Sequence, residues 1–210
     1  MIVKTFWIEA LPVVALYLRR FCSRSEEKCP VSGYHNAKVF LKDIEEDVLK
    51  TIGPYNWPAE DPMWPTACEC GYVFIRDDHW QVFPDRVYRR LDTGEEFPLR
   101  KAPPGSLYVA TWYEPGERRF LHGYDGLSVH CIRPHGDTWC IDSRASNCTM
   151  KDDFAHRCWV RHGTFGETVH VDKNGLTCGA GAGSIFSGKN NEWHGFLDHG
   201  YLTPTRGVYS

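Results

Sequence analysis

Turn-forming residues occur along the whole chain, and their density limits what it can fold into. Glycine occurs 19 times and proline 13 times among the 210 residues. Between them lie short runs rich in β-branched and aromatic residues, and the aromatic fraction reaches 14%. Short runs of this kind, bounded by turn residues, are typical of β-strands, whereas long helices do not tolerate so many interruptions. The sequence therefore predicts a β-rich α+β fold built from several antiparallel hairpins.

An N-terminal hairpin and one short helix are predicted in the first quarter of the chain. Residues 13–22 and 34–41 are β-branched and aromatic in character, and a polar loop separates them. Asp43 is predicted to begin the helix, because Glu46 three residues later completes a capping box and Gly53 ends the segment.

A second hairpin is predicted further along the chain. Residues 127–132 and 138–141 flank a turn sequence, and a two-residue loop at 135–136 would join them. In that register Cys131 lies directly opposite Cys140, at a separation near the short end of what a disulfide accepts. Two free thiols on one sheet face suit a reducing compartment better.

A third hairpin, residues 168–171 with 176–178, is indicated by the Asn174-Gly175 turn.

The predicted organisation has three parts, which could also form one continuous domain. The parts are an N-terminal hairpin with the short helix (1–53), a linker rich in Pro and Trp (54–67), and a β-rich domain rich in Cys and His (68–210).

Charge and hydropathy exclude some classes of partner. The net charge of -3 gives no broad attraction for a phosphate backbone, so we do not expect nucleic acid as a partner. The longest apolar stretch, residues 6–18, is too short to cross a bilayer as a helix. It also lacks the flanks of an export signal and is predicted to be a buried strand, so we expect neither a membrane anchor nor secretion by a signal peptide.

The nine cysteines are therefore expected to be free thiols or metal ligands. Cys68 and Cys70 form a close pair, and zinc usually takes two such pairs from separate segments. The second pair is predicted to be Cys148 with Cys158, and His156 is the alternative fourth ligand. Four protein ligands leave no open position for water, so the predicted zinc is structural and clamps the fold.

Two catalytic interpretations of the sequence have less support than the structural zinc site. The glycine-rich run before Lys189 resembles a phosphate-binding loop, but Asn190 stands where a magnesium-binding hydroxyl is needed. Cys178 could act as a nucleophile with His194 or His199 as the base, although such arrangements are recognised by geometry. We therefore expect a protein that is not an enzyme and leave cysteine-dependent chemistry as an alternative.

Several segments together resemble a family. They are Trp64-Pro65-Thr66-Ala67-Cys68-Glu69-Cys70, Ser146-Asn147-Cys148-Thr149, His156-Arg157-Cys158-Trp159-Val160-Arg161-His162-Gly163, Cys178-Gly179-Ala180-Gly181-Ala182-Gly183-Ser184-Ile185 and His194-Gly195-Phe196-Leu197. This set of sequence motifs is similar to those of uncharacterised small cysteine-rich proteins of tailed phages and prophages. A more distant likeness is to small zinc-ribbon-type domains with a C-x-C-x-C motif, whose third cysteine is replaced here by Tyr72.

The resemblance implies a viral origin and no particular mechanism. The function expected from it is a non-enzymatic structural or accessory part, such as a capsid or tail component. Its partners would be other virion proteins or further copies of itself in a symmetric oligomer, in the virion or the host cytoplasm. The alternatives are an intracellular zinc-ribbon adaptor that binds a host protein, and a hydrolase or transferase that uses Cys178.

Overall fold

The structure is a computed structural model of the chain. It describes residues 1–45, 47, 60–75, 78–113, 121–144, 148–150, 152–153, 155–173, 185–187 and 193–205. Within these residues it is strand-rich, and one 3-10 helix (Leu99–Lys101) accompanies the strands. The strands are β1 (Val3–Lys4), β2 (Phe6–Cys22), β3 (His35–Glu45), β4 (His79–Arg90), β5 (Glu96–Pro98), β6 (Ser106–Val109), β7 (Val129–Ile132), β8 (Thr138–Cys140), β9 (Trp159–His162), β10 (His170–Lys173), β11 (Ile185–Ser187), β12 (Trp193–Asp198) and β13 (Tyr201–Pro204).

The chain divides into two compact units that interleave in sequence. Unit 1 comprises Met1–Glu9, Arg89–Glu95 and Lys101–Ser210, and unit 2 comprises Ala10–Tyr88 and Glu96–Arg100. The boundaries expected after residues 53 and 67 both fall within the sequence range of unit 2.

In unit 2, the N-terminal hairpin is confirmed. Strand β2 pairs antiparallel with β3, from Cys22 opposite His35 to Val13 opposite Glu45. Strand β4 lies beside β2, and β5 lies beside β4. The core of this sheet is a cluster of apolar side chains: Val14, Leu16, Leu18, Trp64 and Val82.

The apolar stretch predicted to be a buried strand lies in β2 and is continuously buried in its second part, whereas Glu9, Ala10 and Pro12 are exposed. Val14, Ala15, Leu16, Tyr17 and Leu18 are all buried, so both faces of the strand are covered. A strand covered on both faces carries consecutive apolar residues without alternation, which explains the unbroken run. No helix in the described part of the chain combines the length and apolar character needed to span a bilayer.

Unit 1 contains sheets of antiparallel and mixed pairing. One follows the order β1, β13, β12, β11, and a separate hairpin joins β9 to β10. The start of β2 pairs in parallel with β6, and β6, β7 and β8 continue in antiparallel order. The core includes Leu107, Val129, Cys131, Ile141, Val169, Leu197 and Leu202.

The prediction that a helix begins at Asp43 is wrong. Asp43 lies within β3, which continues to Glu45. The hydrogen bonds of the ladder to β2 outweigh the local capping pattern, since helix propensity is a weak preference that tertiary pairing overrides. The rest of the predicted helix, apart from residue 47, lies outside the described residues.

The second hairpin forms, but its predicted register is wrong by one residue. The loop has three residues: the amide of Arg133 donates to the Asp137 carbonyl at 2.8 Å, and Gly136 adopts a φ of 82°. A glycine in this left-handed conformation is typical of a three-residue hairpin with a bulge. Cys140 therefore pairs with His130, and Cys131 pairs with Trp139. The two cysteines lie on opposite faces, and both are free thiols.

The third predicted hairpin can be followed only in part. Its turn at Asn174-Gly175 and its second strand lie outside the described residues. Its first strand corresponds to β10, which pairs antiparallel with β9 through His170 opposite His162.

Candidate metal centres

The loop between β2 and β3 presents the thiol of Cys29. The amide of Gly33 donates to the Cys29 carbonyl at 2.9 Å and closes a tight turn. The amide of Ser32 donates to the Cys29 sulfur, and this bond, aided by the Ser32 side chain and the Val31 amide, lowers the pKa of Cys29 to about 6 against the opposing effect of burial. Amides directed at a sulfur stabilise its thiolate, the form that binds metals.

A second tight turn presents Cys68 and Cys70. The Gly71 amide donates to the Cys68 carbonyl at 2.9 Å, and the Cys68 amide donates to the Tyr72 carbonyl at 2.8 Å. Gly71 has a φ of 92°, a conformation that other residues rarely adopt. The Tyr72 amide lowers the pKa of Cys70, but burial and the neighbouring thiols of Cys68 and Cys29 outweigh it, so that pKa is raised overall.

These two turns and the first residue of β3 converge on one point in unit 2. The side-chain donor atoms of Cys29, His35, Cys68 and Cys70 all lie within 4.8 Å of one another. The sulfurs of Cys29 and Cys68 are 3.8 Å apart. Two thiolates on a tetrahedral zinc ion, with Zn–S bonds of about 2.3 Å, lie about 3.8 Å apart. We call this set the four-residue group.

His35 is oriented so that Nδ1 faces the thiols. Its Nε2 lies 2.8 Å from the Glu27 carbonyl oxygen and must donate there, since a carbonyl can only accept. Nδ1, which is then unprotonated in the neutral ring, lies 3.1 Å from the Cys70 sulfur. The Tyr72 ring stacks on the imidazole with centroids 4.1 Å apart. A histidine that binds a metal typically donates its other ring nitrogen to a carbonyl or carboxylate in this way.

A cleft of about 720 Å³ opens beside the four-residue group. Two of the group's side chains, His35 and Cys70, line it. The lining also includes three charged residues of the β2–β3 loop, Glu26, Glu27 and Lys28. The group is thus reachable from the surface, and an entry path is one of the features a metal site requires.

A separate set of potential ligands lies in unit 1. The donor atoms of Cys148, His156 and Cys158 lie within 4.8 Å of one another, and all three residues are buried. We call this set the three-residue group.

The predicted ligands are therefore distributed differently from the single set expected from the sequence. Cys68 and Cys70 belong with Cys29 and His35, while Cys148, His156 and Cys158 belong together. The ligand set predicted from the sequence omits Cys29 and His35, because it places the second pair C-terminal to Cys70, at Cys148 and Cys158. The available signal was their close spacing at the end of the loop of the predicted N-terminal hairpin.

The residues of the catalytic alternative are placed only in part. Cys178 lies outside the described residues. His194 lies on β12, and His199 follows that strand with its Nδ1 2.5 Å from the Asp198 carboxylate. The His199 ring also stacks on His170, with centroids 4.6 Å apart.

Comparisons with known proteins identify no relative of this chain. No family model matches the chain, and neither the curated proteins nor the solved structures contain a significant match. The two Cys and His groups therefore carry the functional interpretation.

Proposed function

We propose that the protein is a non-enzymatic zinc-binding structural protein in which the four-residue group holds the ion. The observation that supports this most directly is the convergence of Cys29, His35, Cys68 and Cys70 within 4.8 Å. Four protein ligands fill a tetrahedral shell and leave no position for a reacting water, which is the pattern of a structural site.

The donor set favours zinc over other common cations. Three thiolates and one imidazole are soft or borderline ligands, whereas magnesium and calcium require oxygen. A Cys₃His set is among the ordinary structural zinc sets. The fixed His35 ring and the amides around Cys29 mean that two ligands are held in their binding form by the fold itself.

The role of the ion in this proposal is to join two segments of unit 2. Cys29 lies in the β2–β3 loop and His35 begins β3, whereas Cys68 and Cys70 lie in the turn enclosed by the Ala67–Val73 bridge. Among the described residues, the small cluster around them contains one buried apolar residue other than cysteine, Phe74. Since so small a core stabilises little by itself, metal binding would supply much of the local stability.

The test is metal content combined with unfolding. Zinc measured by plasma mass spectrometry should be present in purified full-length protein, and Cys68→Ser should abolish the share held by this group. The variant should also melt about 10 °C or more lower, which corresponds to several kcal/mol in a chain of this size. Cys140→Ser, outside both groups, is the matched control and should retain wild-type zinc content. Full zinc content in Cys68→Ser would refute the proposal.

The virion role implied by the sequence resemblance is a separate proposal about where this structural protein acts. It predicts that the chain is present in purified phage particles at a fixed copy number. A peptide inventory of such particles by mass spectrometry tests it, and consistent absence of the chain would contradict it.

A further inference from the structure

The three-residue group has the burial expected of a site closed off from solvent. Relative exposures are 2% for Cys148, 4% for His156 and 0% for Cys158. An imidazole buried this deeply needs a polar partner, because leaving its nitrogens without one costs free energy. The thiols of Cys148 and Cys158 flank it in the same small cluster.

The internal distances suit a shared ion. Nε2 of His156 lies 3.7 Å from the Cys158 sulfur. With a Zn–N bond of about 2.0 Å and a Zn–S bond of about 2.3 Å, a tetrahedral ion separates these atoms by about 3.5 Å. The Met150 amide also donates to the Cys148 sulfur at 3.4 Å.

The segment around His156 is held by contacts that do not involve a metal. Its amide donates to the Asp153 carbonyl at 3.1 Å. Its own carbonyl accepts from the guanidinium groups of Arg144 at 3.2 Å and Arg157 at 2.9 Å. Arg157 also donates to the His122 carbonyl at 2.6 Å. These bonds fix the backbone that positions two of the three donor atoms, so a ligand would meet a largely prearranged site.

We propose that Cys148, His156 and Cys158 form a second zinc site, filled independently of the four-residue group. It goes beyond the proposed function because it uses other residues, in unit 1 where the first site lies in unit 2. Two thiolates balance the charge of the ion, so the buried site is neutral overall. Three protein ligands leave one position of a tetrahedral shell for a further donor.

The stoichiometry of zinc separates this proposal from the first. Wild-type protein should contain two ions per chain, Cys148→Ser one, Cys68→Ser one, and the double variant none. Cys140→Ser should retain two. One ion in the wild type that is lost in Cys68→Ser and unaffected in Cys148→Ser would overturn the second site and leave the first intact. Loss of zinc only in Cys148→Ser would do the reverse.

Alkylation of the wild-type chain tests the same site without any substitution. Cys148 and Cys158 should resist iodoacetamide while metal is bound and react after a chelator removes it, as read by peptide mass spectrometry. Reaction of both at equal rates with and without chelator would overturn the proposal, as would a disulfide between them in freshly purified protein.

Cobalt substitution provides a spectroscopic readout of the ligands. Thiolate-to-cobalt charge-transfer absorption should correspond to three thiolates on one ion and two on the other. His156→Cys should preserve binding at the second site and raise its thiolate number to three. A wild-type spectrum that accounts for only the three-thiolate ion would contradict the proposal.

Discussion

The imidazole of His35 donates Nε2–H to the carbonyl oxygen of Glu27 at 2.8 Å. This bond sets the ring so that Nδ1 is the nitrogen nearest the Cys70 sulfur. A zinc ion in the four-residue group would therefore be bound through Nδ1, not through Nε2.

The first prediction concerns this ring. His35→Ala should weaken zinc binding by the group, because it removes one of the four ligands and the ring that packs on Tyr72. His35→Cys should retain zinc, since four thiolates are also a structural set. Zinc content and melting temperature measure both effects. A His35→Ala variant with unchanged zinc content would show that the ring is not a ligand.

The second prediction concerns Arg161, which contacts two carboxylates. Its backbone amide and Nε both donate to Asp142 at 2.8 Å, and its terminal nitrogen donates to Asp125 at 2.8 Å. The Asp142 side chain is 4% exposed and that of Asp125 is 48% exposed. Breaking a buried pair costs about 3–5 kcal/mol, whereas an exposed pair contributes about 1 kcal/mol or less.

Asp142→Asn should therefore lower the free energy of unfolding by several times as much as Asp125→Asn. The two substitutions remove the same charge from the same cation, so each is the control for the other. Urea unfolding at pH 7 measures the difference. Equal losses would show that burial does not set the strength of this interaction.

The third prediction tests the register of the β7–β8 hairpin. His130 and Cys140 are directly opposite and form a pair without mutual hydrogen bonds, because the flanking Val129–Ile141 pair is hydrogen-bonded. Such pairs have Cα atoms about 4.5 Å apart, near the lower limit for a disulfide. His130→Cys should form a disulfide with Cys140 under mild oxidation. The wild type should not link Cys131 to Cys140, and peptide mapping without reductant would reveal that link if the predicted two-residue loop were correct.

The fourth prediction concerns pH. Burial lowers the pKa of His130 to about 4, from about 6.5 in the unfolded chain. Between these values the unfolded chain binds a proton that the folded protein does not. The stabilisation from keeping the ring neutral is thus fully present above about pH 6.5 and is lost as the pH falls towards 4.

Relative to His130→Phe, the wild type should lose up to about 3 kcal/mol of stability between pH 7 and pH 4. Comparing two proteins at each pH cancels acid effects that both share, including metal release. Urea unfolding at several pH values measures the difference, and His135→Phe, at an exposed loop position, is the control. If the difference in free energy of unfolding between wild type and His130→Phe stayed constant with pH, the lowered pKa of His130 would be contradicted.

The sequence identified much of the fold but only part of the candidate sites. The strand in residues 6–18 and the N-terminal hairpin follow from composition and turn residues, which act locally. The prediction of a helix from Asp43 was wrong because strand pairing outweighs the local capping pattern. The prediction of a two-residue loop after Cys131 was wrong because the loop contains one more residue, which shifts the register. Cys68 and Cys70 were recognised by spacing, whereas their proximity to Cys29 and His35 depends on tertiary contacts between segments that are far apart in the sequence.

The separation of Cys29 from Cys68 along the chain has a consequence for the unfolded state. These residues are 39 positions apart. A bond that joins them restricts the random chain as a disulfide would, and closing a loop of this length removes about 4 kcal/mol of conformational entropy at room temperature. A zinc ion bound by both sulfurs would thus be a reversible cross-link, and the free zinc concentration around the protein would set how often the chain carries it.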